Sequence, residues 1–261
     1  MSADTKWKVY YQGQNSPRYN NLVPFSKYAK VMRGIATGAN DFFTFNMSKA
    51  REYGIGEECL LPCICRSADV KGNIFTLDDF NKLKSNDKKV FLLNAENSKS
   101  ENTSAYIKQG ETDGINKKHL TSKRNPWYAL EKRPPAPIWV SVFNRNGLRF
   151  VRNLANVSNL TTFHCLYLNT EQFSEISIDL FLAYLLSETA HSIFNDNARE
   201  YGNGLQKFEP NDLNHSFVLD LELIPTTAKS EIEQLYRKSI TTKDSSFIKR
   251  IDEILSEVFG I

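Results

Sequence analysis

Short apolar clusters separated by polar stretches fill the first two thirds of this chain, and sustained helical periodicity appears only in the last third. Residues 1–25 are polar and aromatic without a period, the pattern of a docked linker. The cluster Phe42-Phe43-Thr44-Phe45 predicts a strand, followed by a short helix over 49–53 with Ser48 as its cap and Gly54 at its end. Thr76 and Asp79 have the spacing of a capping box ahead of Phe80 and Leu83, and Val90-Phe91-Leu92-Leu93 reads as a buried strand. A weak helix over 104–109 is expected to stop at Gly110 and Gly114. Residues 138–143 predict a strand, with a turn at 144–147 and a partner over 148–151; another strand is expected over 163–168.

In the last third Ser177 is placed to cap one long helix, in which Ile178, Phe181, Leu182, Leu185, Leu186, Ala190 and Ile193 form a stripe. Residues 217–219 and 221–224 read as a final strand, with Asp220 and Glu222 alternating on its solvent side. After Pro225 two amphipathic helices are expected, over 231–239 and 247–259. The second carries Ile248, Ile251, Leu255 and Val258 on one stripe and ends at Gly260. The fold class expected is mixed α/β (α+β), an irregular β-sheet domain with packed helices and a C-terminal helical layer, not a doubly wound parallel sheet. The expected organisation is a linker over 1–25, a main domain over 26–225 and C-terminal helices over 226–261 that pack or dock onto a partner.

Composition changes this picture little. A chain of 261 residues can bury a sizeable core, and a net charge of +3 is too small to argue for a polyanionic partner. The distribution of charge says more. Between 115 and 137 lie Lys117, Lys118, Lys123, Arg124, Lys132 and Arg133 against the single carboxylate Glu131, with His119, Trp127 and Tyr128 interleaved. Cations neutralise phosphates and aromatic rings stack on bases, although the same composition suits a solvated loop. Cys59, Cys63 and Cys65 crowd one segment without a second ligand pair, so buried thiols are expected and not zinc. No apolar run approaches the roughly 20 residues of a membrane helix, and residues 1–6 lack the pattern of a secretory signal. A cytoplasmic location is expected.

Tests for chemistry give no catalytic residue and no metal site. Asn125-Pro126-Trp127-Tyr128 is one residue away from the Asn-Pro-Pro-Tyr box with which N6-adenine methyltransferases hold a flipped base. Trp127 breaks the double proline, and no glycine-rich turn precedes it to hold S-adenosylmethionine. Asp220 with Glu222 lacks the following lysine of a magnesium nuclease. Neither a nucleophile elbow nor a phosphate-cradling loop is found.

A set of segments in order resembles a known family. Val31-Met32-Arg33-Gly34-Ile35-Ala36-Thr37-Gly38-Ala39-Asn40-Asp41-Phe42-Phe43 is similar to the RGIxTGxNxFF signature that follows the catalytic domain of many N6-adenine DNA methyltransferases. Pro62, Tyr106-Ile107 through Gly110-Glu111, Arg124 to Tyr128 and Arg152-Asn153 resemble later landmarks of the same region. Leu185-Leu186-Ser187 and the stretch from Tyr201 to Pro210 are similar to its LLNS and GGGxxKxxP motifs. Together these span Trp7 to Ile224 and resemble the target-recognition (specificity) domain of TaqI-like methyltransferases of restriction-modification systems, without the catalytic domain.

The resemblance implies a sequence-specific DNA recognition module, a split subunit or a fragment, with no methyl-transfer site of its own. It also implies two partners, double-stranded DNA and a catalytic methyltransferase subunit or domain that binds S-adenosylmethionine. Lys117, Lys118, Lys123 and Arg124 would then contact phosphates, and Gln109, Asn116, His119 and Arg145 base edges. Arg33, Thr37 and Asn40 match the signature and are DNA candidates, though its glycines could equally shape a turn that Asn40 caps. Trp127 has two readings, a base-stacking ring or a packing anchor. Two other functions stay open, a DNA-processing enzyme with an unrecognised site and a docking subunit for a catalytic partner.

Overall fold

A computed structural model describes residues 19–144, 148–169, 176–195, 200–201, 205–242 and 246–261. Helices and sheets are mixed along the chain, giving the α+β class. The chain divides into two units, one of residues 29–169 and 198–214, the other of residues 1–28, 170–197 and 215–261. Among the described residues no helix is long and apolar enough to cross a membrane.

The first unit carries its core on two sheets, beside a smaller one in which Phe143–Asn144 pairs with Leu205–Lys207. In one, the strands run in the order Ala29–Arg33, Phe163–Leu168, Ile138–Ser141, Phe150–Asn153, Ile74–Phe75; in the other, Ser158–Asn159, Leu60–Ile64, Phe91–Leu93, Thr44–Phe45. Ile138–Ser141 is buried at every position, as its unbroken apolar run requires of a central strand. It pairs antiparallel with Phe150–Asn153 in the register Trp139↔Val151. The Trp139 indole, fully buried, lies 5.4 Å from Phe75 and 5.6 Å from Phe163, ring centre to ring centre. Ala29–Arg33 is an edge strand, and the Asn214 side chain covers it by accepting from Val31 N–H at 2.8 Å and donating to Val31 O at 2.9 Å. That satisfies backbone groups an open edge would leave to water or to another chain.

Several local expectations need adjustment. Thr76 and Asp79 do form a capping box, at the start of Leu77–Ser85. The cluster 42–45 is not all strand, because Asn40–Phe43 is a helical turn and only Thr44–Phe45 pairs in a sheet. Asn46, not Ser48, caps Met47–Glu52. Gly110 does not stop its helix, which runs Glu101–Thr112 from a Ser100 cap. A Cβ there would lie 2.6 Å from the Phe42 ring and 2.9 Å from Trp127. The glycine marks a close approach of two aromatic rings, and a local reading sees only a helix breaker. Cys59, Cys63, Cys65 and Cys165 are buried free thiols in this unit's core.

The second unit is mainly helical. Leu22–Pro24 pairs antiparallel with Phe217–Leu219. The single helix expected after Ser177 is two, Ile178–Leu185 and Glu188–Asn195. At the break the Ser187 hydroxyl donates to Tyr184 O and accepts from Ala190 N–H, while Asp252 accepts from the N–H groups of Glu188 and Thr189, both at 3.0 Å. These bonds satisfy donors that a helix start leaves orphaned. Residues 221–224 are not strand. Leu221–Leu223 is a 3-10 turn whose cap, Asp220, also accepts from Lys27 at 2.9 Å and from the Tyr28 hydroxyl. Thr226–Thr242 and Phe247–Phe259 complete the unit, and Ile251, Ile254, Leu255 and Phe259 are buried within it.

Candidate nucleic-acid interface

The site grows from a loop that only small residues permit. After the edge strand, a Cβ on Gly34 would fall 2.2 Å from Leu160 O, so the backbones there touch as only glycine allows. Gly38 follows with φ +77°, a left-handed conformation, and Leu120 fills the space beside it. Between them Thr37, 1% exposed, accepts from Ala39 N–H at 3.1 Å and donates to Asn40 Oδ1 at 2.5 Å. Thr37 thus holds the turn, and Asn40 sits one position inside the helix instead of capping it. Asn40 is exposed, and its amide nitrogen has no protein partner among the described residues.

The basic segment folds against this loop. Two 3-10 turns, Ile115–Lys117 and Thr121–Lys123, are knitted by the Thr121 hydroxyl, which donates to Ile115 O and Lys118 O. The Arg124 guanidinium then donates to Ala36 O and, at 3.1 Å, to Thr37 O. Arg124 is therefore a staple between the signature loop and the basic segment. Lys117, Lys118, His119 and Lys123 remain exposed on the outside of the turns. The Lys123 ammonium lies 2.8 Å from His119 Nε2.

An open cleft of about 570 Å³ lies beside the staple. Arg33, Thr37 and Asn40 line one side with Leu120, and Phe143, His164, Lys207 and Glu209 line the rest. Lys207 pairs with Glu209 at 2.6 Å, a bond that holds the Glu209 carboxyl below its usual range. Phe143 is 58% exposed, with the Lys207 ammonium 5.9 Å from its ring centre. His164, 2% exposed, donates from Nε2 to Phe208 O at 2.7 Å. Burial pushes its pKa below the usual 6.5, and its Nδ1 has no hydrogen-bond partner among the described residues. The cleft thus gathers two cations, one of them paired with a carboxylate, together with a primary amide and an exposed ring.

Of the expected residues, Arg33, Thr37 and Asn40 share the cleft, with Arg124 bonded to its loop. Gln109 stands on another helix, its amide tied to Asp113 at 2.8 Å. Asn116 is half-buried, and its Oδ1 has no partner among the described residues. Trp127 packs against Phe42 and Phe43 and donates to Glu111 at 3.0 Å. Arg145 lies outside the described residues. Phe143, His164, Lys207 and Glu209 were not singled out as site residues: Phe143 and His164 belong to segments whose pattern is that of ordinary strands, and Lys207 and Glu209 were read only as part of the stretch similar to the GGGxxKxxP motif. Only the exposure of Phe143 at the end of an apolar run, which no local pattern reveals, distinguishes them.

Comparison with known proteins gives the family of this chain. The family described as Type II methyltransferase M.Eco57I, C-terminal domain, matches residues 14–255, and the chain belongs to it. It is 56% identical over 265 residues to Type II methyltransferase M.AccI of Acinetobacter calcoaceticus, covering 100% of this chain and 49% of that protein. It is 20% identical over 238 residues to Type II methyltransferase M.XamI of Xanthomonas campestris pv. amaranthicola, covering 85% and 41%. The chain thus spans less than half the length of these curated relatives. Its fold is similar to that of the type IIG restriction endonuclease BpuSI, with a TM-score of 0.53 at 15% identity over 90% of this chain and 28% of that one. The type IIL restriction-modification enzyme MmeI gives 0.52 at 11% identity, over 91% and 33%.

Proposed function

We propose that this chain recognises a specific site in double-stranded DNA on behalf of an N6-adenine methyltransferase, whose S-adenosylmethionine-binding catalytic part is a separate region or subunit. The observation that carries the reading is the Arg124 staple. It fixes the signature loop against the basic segment, so that Arg33 and Asn40 stand at the cleft while Lys117, Lys118 and Lys123 stay exposed on the segment that gives the cleft Leu120. Exposed cations set register on the phosphates, and side chains in the cleft contact bases. The relatives named as Type II methyltransferases support the same reading, as does the fold shared with MmeI, an enzyme described in complex with DNA.

The test is binding of the purified chain to duplex DNA by fluorescence anisotropy at several salt concentrations. Replacing Lys117, Lys118 and Lys123 together by Ala should weaken binding on all sequences and reduce the salt slope by about 0.9 for each phosphate no longer neutralised. An unchanged slope would remove those lysines from the interface. Asn40→Ala should instead lower affinity for the preferred site only, by the roughly 1–3 kcal/mol that a base-edge amide supplies.

A further inference from the structure

Phe143 is a large apolar side chain that faces water. Its strand, Phe143–Asn144, pairs with Leu205–Lys207 in the register Lys207↔Phe143, and its neighbour Val142 is buried. A phenylalanine at 58% exposure leaves much of its apolar area in water, where burial would gain roughly 25 cal/mol for each Å² covered. The ring stands in the wall of the open cleft, next to a lysine, and shares the cleft with His164, whose buried Nδ1 has no partner among the described residues. An exposed ring, a lysine whose ion pair with Glu209 can be exchanged for a phosphate, and a buried imidazole nitrogen without a partner among the described residues fit a ligand that is at once aromatic, anionic and hydrogen-bonding. A nucleotide has all three properties.

Resting on the DNA-recognition reading, we propose that Phe143 is an aromatic wedge. Its ring enters the duplex at one base step and stacks on an unstacked base, while Lys207 meets the adjoining phosphate. Apolar side chains inserted in this way partly unstack a step and kink the duplex, and the unstacking cost is offset by the surface the bent duplex covers. The wedge differs in kind from the lysines of the basic segment. It carries no charge, so it acts on base stacking and leaves the salt dependence alone.

The experiment uses the purified chain and a duplex of the motif it selects from a random library, with 2-aminopurine placed at successive positions. Wild-type protein should brighten the probe at one step, because 2-aminopurine fluoresces when unstacked. Phe143→Ala should abolish that signal and weaken binding about 5- to 100-fold, with the salt slope and melting temperature unchanged. Phe143→Tyr should restore both signal and affinity, whereas Lys207→Ala should reduce the salt slope and keep the signal. Equal brightening and affinity for wild type and Phe143→Ala would overturn the wedge while leaving DNA recognition intact. Failure of the wild-type chain to retain any duplex would overturn both.

Discussion

Arg124 and Lys123 are neighbours of the same charge, and the structure gives them different work. Arg124 donates to two carbonyls of the signature loop, while the Lys123 side chain is exposed and lies against His119. Arg124→Ala should therefore destabilise the fold by about 1–3 kcal/mol, the range for charge-assisted bonds removed from a half-buried site, and weaken DNA binding as a consequence. Lys123→Ala should leave the urea midpoint within the error of the wild type and act on the salt slope alone. Gly110 poses a similar contest of effects. Alanine would add up to about 1 kcal/mol of helix propensity, yet its Cβ would press on two rigid rings at 2.6 and 2.9 Å. Overpacking of that kind costs about 1–3 kcal/mol, so Gly110→Ala should lower the denaturant midpoint despite its better propensity.

At the scale of elements, the helix break at Leu186 and Ser187 depends on a residue far along the chain. Asp252, in Phe247–Phe259, accepts from Glu188 N–H, Thr189 N–H and the Thr189 hydroxyl. Asp252→Ala should cost about 1–2 kcal/mol, the range for removal of a helix cap, read from urea unfolding. The stability should also depend on pH through His164. Its folded pKa is depressed by burial, so below 6.5 the unfolded chain binds the proton more readily. Stability is then fully present above pH 6.5 and falls as the pH drops from there towards the folded value. His191 is shifted in the same direction by burial and adds to the fall. His164→Gln should make the loss below about pH 6.5 shallower without removing it, as followed by denaturant midpoints. Asp220 acts at lower pH: burial raises its pKa, but the bonds from Tyr28 and Lys27 more than offset that.

What the sequence revealed follows from the range of the forces involved. The Thr76 and Asp79 box, the strand at 163–168 and the helix ending at Gly260 are all local arrangements, and all are present. The misread elements were decided by distant partners. Phe42 and Trp127 explain Gly110, Asp252 explains the helix break, and Lys27 with Tyr28 explains why Asp220 turns from the strand. The candidate site divides in the same way. Arg33, Thr37 and Asn40 were legible because one short motif holds them. Phe143, His164 and Lys207 come from three separate strands and meet only in the folded unit.

As a whole molecule, this chain of the M.Eco57I C-terminal family should read DNA by its own surface, without help from a catalytic partner. Selection of duplexes from a randomised library by the purified chain, at two salt concentrations, tests that expectation without an intermediary. An enriched motif should appear at both, with total retention lower at the higher salt as phosphate contacts weaken. Retention without sequence preference that vanishes with salt would contradict it, leaving only a basic surface, and so would no retention at either concentration.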